Sequence, residues 1–145
     1  MMVRRTALDA VGGWGDCVDL VAAEDYDLWL RLLTVGPILT SNEVLATYRR
    51  LGEHRISARG ARLFLHGADV ACSKIQRLYP NDRAIRRLCN RRRAGWRRNV
   101  AWEELVERNF FKGFTMAFRS IGYAPFHPAA YRMMVRAILR IPVPS

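Results

Sequence analysis

Apolar positions recur with helical spacing in the first third of the chain. Leu28 and Leu32 lie four positions apart, and the two apolar residues that follow them repeat this spacing. Such a period predicts a helix over residues 27–33, ended by the glycine and proline at 36–37. An earlier stretch, "RRTALDAVGGW", predicts a short helix closed by Gly12-Gly13, because glycine adopts the left-handed conformation that ends helices.

A different pattern follows at residues 37–50, "PILTSNEVLATYRR", where apolar and polar residues alternate around Ser41-Asn42. It predicts two short strands joined by a turn, the second strand ending at Tyr48. Two short strands cannot bury a sheet face by themselves. Residues 1–56 are therefore expected to be an α/β fragment, the end of a larger sheet whose other strands lie outside the chain.

Helical periodicity dominates residues 57–145, which are predicted to be an all-helical C-terminal region. Ser57 is a suitable N-cap for the first of its helices. The predicted helices cover residues 57–78, 82–92, 99–121 and 129–139. Gly95 is expected to interrupt the second of them.

Composition fits one globular domain. The chain has 145 residues, half of them hydrophobic, and its three cysteines, Cys17, Cys72 and Cys89, form no CxxC pair. Widely spaced, odd-numbered cysteines argue against a disulfide framework or a zinc site and indicate a reducing compartment. No apolar run approaches the ~20 residues of a membrane-spanning helix. These features predict a cytoplasmic protein.

Charge is divided unevenly along the chain, which carries a net charge of +11. Residues 1–56 hold six arginines against eight acids, whereas residues 57–145 hold 18 basic residues against five acids. This asymmetry predicts different roles for the two parts.

Three acids, Glu24, Asp25 and Asp27, stand at the start of the helix predicted over residues 27–33. Acids at this position stabilise a helix, and Asp25 as N-cap with Asp27 in the first turn is one interpretation. The other is catalytic, because a fixed, ionised carboxylate is suited to remove a proton from a hydroxyl group. The residues alone leave both interpretations open.

Three segments, "MVRRTALDAVGGW", "AEDYDLWLRLLTVGP" and "EVLATYRRLGEHRIS", occur in an order and at spacings that resemble the C-terminal half of family-two glycosyltransferases. The resemblance covers about the first 57 residues. It implies a GT-A fold and the transfer of a sugar from a nucleotide-sugar donor to a glycan or lipid-linked acceptor, as in the synthesis of cell-envelope polysaccharides. Residues 1–56 would then be the acceptor-side part of the transferase domain.

The resemblance also implies roles for particular residues. Asp25 matches the catalytic base of inverting members, and Glu24 and Asp27 match acids that shape the site. The turn at Gly12, Gly13 and Trp14 would lie beside donor sugar and acceptor. Trp14 is either a stacking platform for sugar or a core residue, the latter favoured by its type alone; Trp29 is predicted to be core.

A second block, Tyr48, Arg49 and Arg50, matches a "YR" motif in which an arginine faces the diphosphate. A solvated strand end is the alternative for these residues. The family often has a histidine two places after this arginine, where the present chain has Leu51, and His54 is further along. This departure weakens any assignment of metal ligands to the segment.

The resemblance further implies a divalent cation, Mg²⁺ or Mn²⁺, that neutralises the leaving diphosphate. Its Asp-x-Asp motif belongs to the nucleotide-binding half of such enzymes, and the only Asp-x-Asp spacing here is Asp25-Tyr26-Asp27. The chain is therefore expected to be a fragment, or to begin at an internal methionine, and to be inactive alone.

Residues 57–145 match no motif, but they alternate arginine clusters with aromatic side chains. One interpretation is a non-catalytic basic module that binds an anionic partner, either the cytoplasmic face of a membrane or nucleic acid. The lack of a nucleic-acid motif argues against the latter. The alternative is that the arginines are a solvated face and the aromatic residues are core. The apolar residues in question are Phe110, Phe111, Phe114, Met116, Phe118, Tyr131, Met133, Met134 and Ile138.

Overall fold

A computed structural model describes residues 2–15, 20, 23–47 and 60–141. Within these ranges the regular structure is helical throughout. The helices are α1 (Arg5–Ala10), α2 (Glu24–Leu32), α3 (Ala61–Leu78), α4 (Arg83–Val106), α5 (Phe110–Ile121) and α6 (Pro128–Ile138).

Local sequence signals set several helix ends. The backbone N–H groups of Gly12 and Gly13 donate to the carbonyls of Asp9 and Leu8 at 3.1 and 3.0 Å, and both glycines have positive φ. This geometry confirms the predicted closure of α1. At the start of α4, the carboxylate of Asp82 accepts hydrogen bonds from two backbone N–H groups at 2.8 and 3.1 Å, as expected of an N-cap.

Helix α4 is the centre of the structure and contacts α3, α5 and α6. Helices α3 and α4 run antiparallel, since residues near the start of α3 meet the end of α4. Phe64 stacks on Trp96 at 5.6 Å between ring centroids, whereas Cys72 meets Cys89 further along α3. Helix α2 packs on α3.

Apolar side chains form two hydrophobic clusters at opposite ends of α4. The first, around Cys72 and Cys89, joins α2, α3 and the first half of α4 through Leu20, Leu30, Ala71 and Ile75. The second joins the end of α4 to α5 and α6 through Leu105, Phe110, Phe114, Met133 and Ala137.

Helices α4 and α5 approach closely at Gly113. A Cβ atom built there would lie 2.9 Å from the side chain of Leu105 and 3.3 Å from the carbonyl of Ala101. Such distances leave no room for a side chain without rearrangement. The close approach therefore depends on glycine at this position.

The predicted sheet end is wrong. Residues 37–47 contain no strand, although the predicted turn is present: the Ser41 hydroxyl accepts a hydrogen bond from the Glu43 N–H at 3.1 Å. Leu39 and Val44 are 89% and 92% exposed, so among the described residues this segment has neither a partner strand nor a buried face. The described fold is all-helical, not an α/β fragment.

The predicted helix bounds also need correction after residue 78. Helix α4 runs through Gly95 without a break and includes residues 99–106, which were assigned to the next helix. A turn at residues 107–108, with Arg108 at a φ of 61°, separates α4 from α5. Helix α3 lies within its predicted range, whereas α6 begins and ends one residue before the predicted 129–139. Ser57 lies outside the described residues.

Candidate functional site

The acids at the start of α2 have different environments. Glu24 and Asp25 are exposed, whereas Asp27 is only 2% exposed. The N-cap residue is Ala23 and no side chain caps the helix, so Asp25 is not the N-cap. Its Oδ1 accepts a hydrogen bond from the Tyr26 N–H at 2.7 Å. The Asp25 carboxylate therefore faces solvent and is held by the backbone.

Asp27 is paired with two cations inside the protein. Its Oδ2 accepts a hydrogen bond from Nε of Arg31 at 2.9 Å and lies 2.8 Å from Nη2 of the same guanidinium. Its Oδ1 lies 3.2 Å from Nζ of Lys74 on α3. A buried carboxylate with two such partners fixes α2 against α3 and has no free oxygen to offer a substrate.

Arg31 extends this network to the glycine turn. Its Nη1 donates to the carbonyl of Val11 at 2.6 Å and to that of Gly13 at 2.8 Å. One guanidinium thus joins α2 to the turn after α1, since Val11 and Gly13 lie 20 and 18 residues before Arg31 in the sequence. Gly15 packs closely against this network. A Cβ atom at this position would lie only 3.2 Å from Oδ2 of Asp27.

The glycine turn itself presents an open surface. A Cβ atom built on Gly12 or Gly13 would meet no atom of the described residues within 4 Å, and Trp14 beside them is 58% exposed. The core interpretation of Trp14 is therefore wrong. Trp29 on α2 is 40% exposed, so its assignment to the core is wrong as well.

The structure thus brings Glu24, Asp25 and Asp27 together on α2 and ties the turn at Gly12 and Gly13 to the same helix. The predicted site residues Tyr48, Arg49 and Arg50 lie outside the described residues.

Within the described ranges, no three His, Cys, Asp or Glu side chains are grouped so that they could hold a metal ion. Asp25 and Asp27 have the spacing of an Asp-x-Asp motif, but Asp27 is buried between Arg31 and Lys74. Mg²⁺ and Mn²⁺ need free carboxylate oxygens. This pair therefore does not fit the divalent cation that the resemblance implies.

Some arginines of the basic tract have internal partners. Arg97 binds both carboxylate oxygens of Asp69 at 3.0 and 2.7 Å, and Nε of Arg93 lies 3.5 Å from the same carboxylate. The guanidinium of Arg97 also lies 4.5 Å from the ring centroid of Tyr123. These two arginines connect α3 and α4 to the turn after α5, a role that the sequence did not indicate.

The first hydrophobic cluster contains buried titratable groups. Burial raises the pKa of the Tyr26 hydroxyl and of the Cys72 thiol, and it raises the pKa of Cys89 to about 12. Both thiols are free and stay protonated at neutral pH, which makes them poor nucleophiles. Their role is packing between α3 and α4.

No protein-family profile matches the chain, and no curated protein or solved structure matches it either. Across the described residues, no helix combines the length and the apolar character that crossing a membrane requires.

Proposed function

We propose that this chain supplies the acceptor-activating part of an inverting sugar transferase, with Asp25 as the general base. The observation that carries the proposal is the difference in environment among the acids of α2. Asp27 is buried and paired with two cations, while Asp25 and Glu24 remain exposed. Their first turn is held by Arg31 beside the open glycine turn. The resemblance to family-two glycosyltransferases assigns these two blocks to one site.

The proposed reaction has one proton transfer at Asp25. The carboxylate removes the proton of an acceptor hydroxyl, and the oxygen attacks the anomeric carbon of the donor sugar from the face opposite the nucleoside diphosphate. The new carbon–oxygen bond forms as the bond to the diphosphate breaks, so the configuration at that carbon inverts. Glu24 and the surface formed by Gly12, Gly13 and Trp14 would shape the acceptor side, Trp14 by stacking on a sugar ring.

The remaining parts of the reaction belong to other residues in this proposal. The nucleotide-sugar donor and the divalent cation, Mg²⁺ or Mn²⁺, would be bound by segments outside the described residues, among them Arg49 and Arg50 for the diphosphate. The acceptor would be a glycan or a lipid-linked sugar.

The test is transfer of radiolabelled sugar by the gene product that carries this chain, with a panel of nucleotide-sugar donors and membranes as the acceptor source. Asp25→Asn keeps the shape of the side chain but removes the base, so we expect a loss in rate of roughly 10²- to 10⁴-fold. Asp9→Asn, at an exposed acid of α1 paired with Arg5, is the control and should keep full activity. Undiminished transfer by Asp25→Asn would exclude the assignment.

A second proposal concerns the outer faces of α5 and α6. Phe111 and Phe118 lie seven positions apart on α5 and are 84% and 60% exposed. At the end of α6, Ile138 and the C-cap residue Leu139 are 67% and 62% exposed. Basic side chains accompany these apolar faces: Lys112, Arg119, Arg132, Arg136 and Arg140. Apolar surface rimmed by cations is complementary to an anionic lipid surface, so we propose peripheral membrane contact here.

The interpretation of the aromatic residues as core holds for only part of the set. Phe110, Phe114 and Met133 pack in the second hydrophobic cluster and are not available to lipid. The proposed membrane contact rests on the exposed members alone.

Sedimentation with vesicles tests this contact. We expect the chain to bind vesicles that contain phosphatidylglycerol and to lose about 10-fold in affinity in the double variant Phe111→Ser/Phe118→Ser, because two exposed apolar rings no longer enter the lipid. Leu39→Ser, at an exposed residue outside α5 and α6, is the control. Equal binding by the double variant and the control would contradict the proposal.

A further inference from the structure

A cleft of about 570 Å³ lies between α4 and the segment that joins α5 to α6. Its volume falls in the range of small-molecule sites. One wall is a face of α4, because Arg87, Arg91 and Arg98 are spaced by four and seven residues, with Asn90 between them. The other wall is formed by residues 123–128.

The cleft has a strong positive bias. None of the described residues that line it is acidic. Among the described residues, no carboxylate lies within 4 Å of Arg87, Arg91 or Arg98, and this separates them from Arg93 and Arg97, which Asp69 neutralises. Three cations at one cavity create a positive potential that favours an anion between them, although Arg87 and Arg91 are exposed and water screens part of their mutual repulsion.

Arg98 is the cleft residue with the strongest structural reason to bind an anion. Its Nη1 is buried and has no hydrogen-bond acceptor among the described residues. Its Nη2 lies 3.9 Å from the position of a Cβ atom on Gly95, so the guanidinium folds back over α4. Burial lowers the pKa of Arg98, with no carboxylate nearby to offset it. Arg98 as a whole is half-buried, but a buried N–H group without an acceptor is costly, and an anionic oxygen would satisfy it.

The opposite wall is fixed and partly apolar. The Tyr131 hydroxyl donates to the carbonyl of Pro125 at 2.6 Å, which holds the joining segment in place. His127 accepts a hydrogen bond at Nδ1 from the Ala129 N–H at 3.4 Å, so a neutral ring carries its proton on Nε2 and presents a donor there. Phe126 is 96% exposed at the mouth of the cleft.

We infer that this cleft binds an organic phosphate. The phosphate oxygens would pair with Arg87, Arg91 and Arg98, since planar guanidinium groups match phosphate geometry. The positive end of α6, which begins at Pro128 in the same wall, favours the same charge. The apolar or aromatic part of the ligand would lie against Pro125 and Phe126. The phosphate belongs either to a soluble molecule, such as a nucleotide, or to a lipid headgroup.

The experiment is calorimetric titration of the chain with pyrophosphate and with adenosine diphosphate, together with sedimentation against phosphatidylglycerol vesicles. We expect saturable binding that weakens at least about 10-fold in Arg98→Met and several-fold in Arg91→Gln, because each substitution removes a charged hydrogen-bond donor. Arg92→Gln makes the same charge change at the neighbouring position, outside the cleft lining, and should leave the affinity unchanged.

The two sources of phosphate give different results. A soluble ligand predicts tight binding of adenosine diphosphate that Phe126→Ser weakens, with pyrophosphate binding unaffected. A lipid headgroup predicts little nucleotide binding, but vesicle binding that Arg98→Met lowers and Arg92→Gln does not. Either result supports a phosphate site. Absence of saturable binding to all three probes, or equal losses in Arg91→Gln and Arg92→Gln, would overturn it.

Thermal melting without ligand gives an independent readout on folding. Arg98→Met removes a half-buried charge that has no carboxylate partner among the described residues, and it keeps most of the side-chain volume. Its melting temperature should therefore be at or above that of the unsubstituted chain. Pyrophosphate should raise the melting temperature of the latter but not of the variant. A lower melting temperature of ligand-free Arg98→Met would contradict the unpaired state of this guanidinium.

Discussion

Replacing Asp27 by asparagine should destabilise the protein by about 3 kcal/mol, as expected when one partner of a buried ion pair is removed. The amide cannot neutralise Arg31 and Lys74, and it offers one acceptor oxygen where the carboxylate offers two. The value lies at the lower end of the expected range, because the Lys74 side chain is 39% exposed and can turn toward water. Chemical denaturation followed by circular dichroism measures the loss.

Asp25→Asn, two positions away on the same helix, is the matched control. Its carboxylate is exposed and its only described partner is the neighbouring Tyr26 N–H, so the substitution should cost less than about 1 kcal/mol, the contribution of an acid in the first turn of a helix. Together the two variants distinguish an effect on folding from an effect on the proposed reaction. Asp27→Asn should lower the free energy of unfolding, whereas Asp25→Asn should mainly lower the rate of the proposed sugar transfer. An Asp27→Asn protein with an unchanged midpoint would disprove the structural role of Asp27.

Replacing Asp69 by asparagine should cost about 2–3 kcal/mol. Asp69 is the only described carboxylate beside Arg93 and Arg97, whose side chains are each 12% exposed, so the substitution leaves two mostly buried guanidinium groups without a counter-charge. The ring of Tyr123 faces both arginines but replaces only part of the lost interaction. Denaturation with urea, under conditions identical for all variants, measures the change.

Asp82→Asn is the control for Asp69→Asn, since it makes the same chemical change on the neighbouring helix. Asparagine caps helices about as well as aspartate, so the stability of this variant should remain close to that of the unsubstituted chain. If both substitutions had the same effect, overall charge rather than the buried pairs of Asp69 would be responsible.

Features encoded by neighbouring residues were predictable from the sequence. The end of α1 follows from Gly12-Gly13, and the helix that contains Leu28 and Leu32 follows from their spacing, because both depend on residues within one or two turns. For residues 37–50, by contrast, the local sequence pattern was not sufficient to decide whether strands form. Alternation of apolar and polar residues favours a strand, but a strand also needs a hydrogen-bonding partner, and residues 37–47 have none among the described residues.

The candidate site shows the same limit. The sequence marks Glu24, Asp25 and Asp27 as a group, but only the positions of Arg31 and Lys74 reveal which of the three is structural. Gly95 suggested a break in α4, yet its cost of about 1 kcal/mol is small beside the packing of α4 against three other helices.

The arginines of α4 look equivalent in the sequence, but their partners are distant in the chain. Asp69 lies 24 and 28 residues before the two arginines that it binds. No local pattern separates these arginines from the unpaired Arg98, because the difference arises when α3 folds against α4. Sequence reasoning could predict an anionic partner for the tract but not which side chains remain available to it.

The placement of the two hydrophobic clusters at opposite ends of α4 has a consequence for motion. The end that carries α1 and α2 can detach in a sub-global opening while the cluster around Leu105 keeps α4, α5 and α6 associated. Elements that open at a lower free energy than the whole molecule are those from which ligand-binding segments are usually drawn. By this criterion the acids of α2 lie on the part of the molecule expected to open first, and Asp27 with its partners Arg31 and Lys74 sets how much free energy that opening requires.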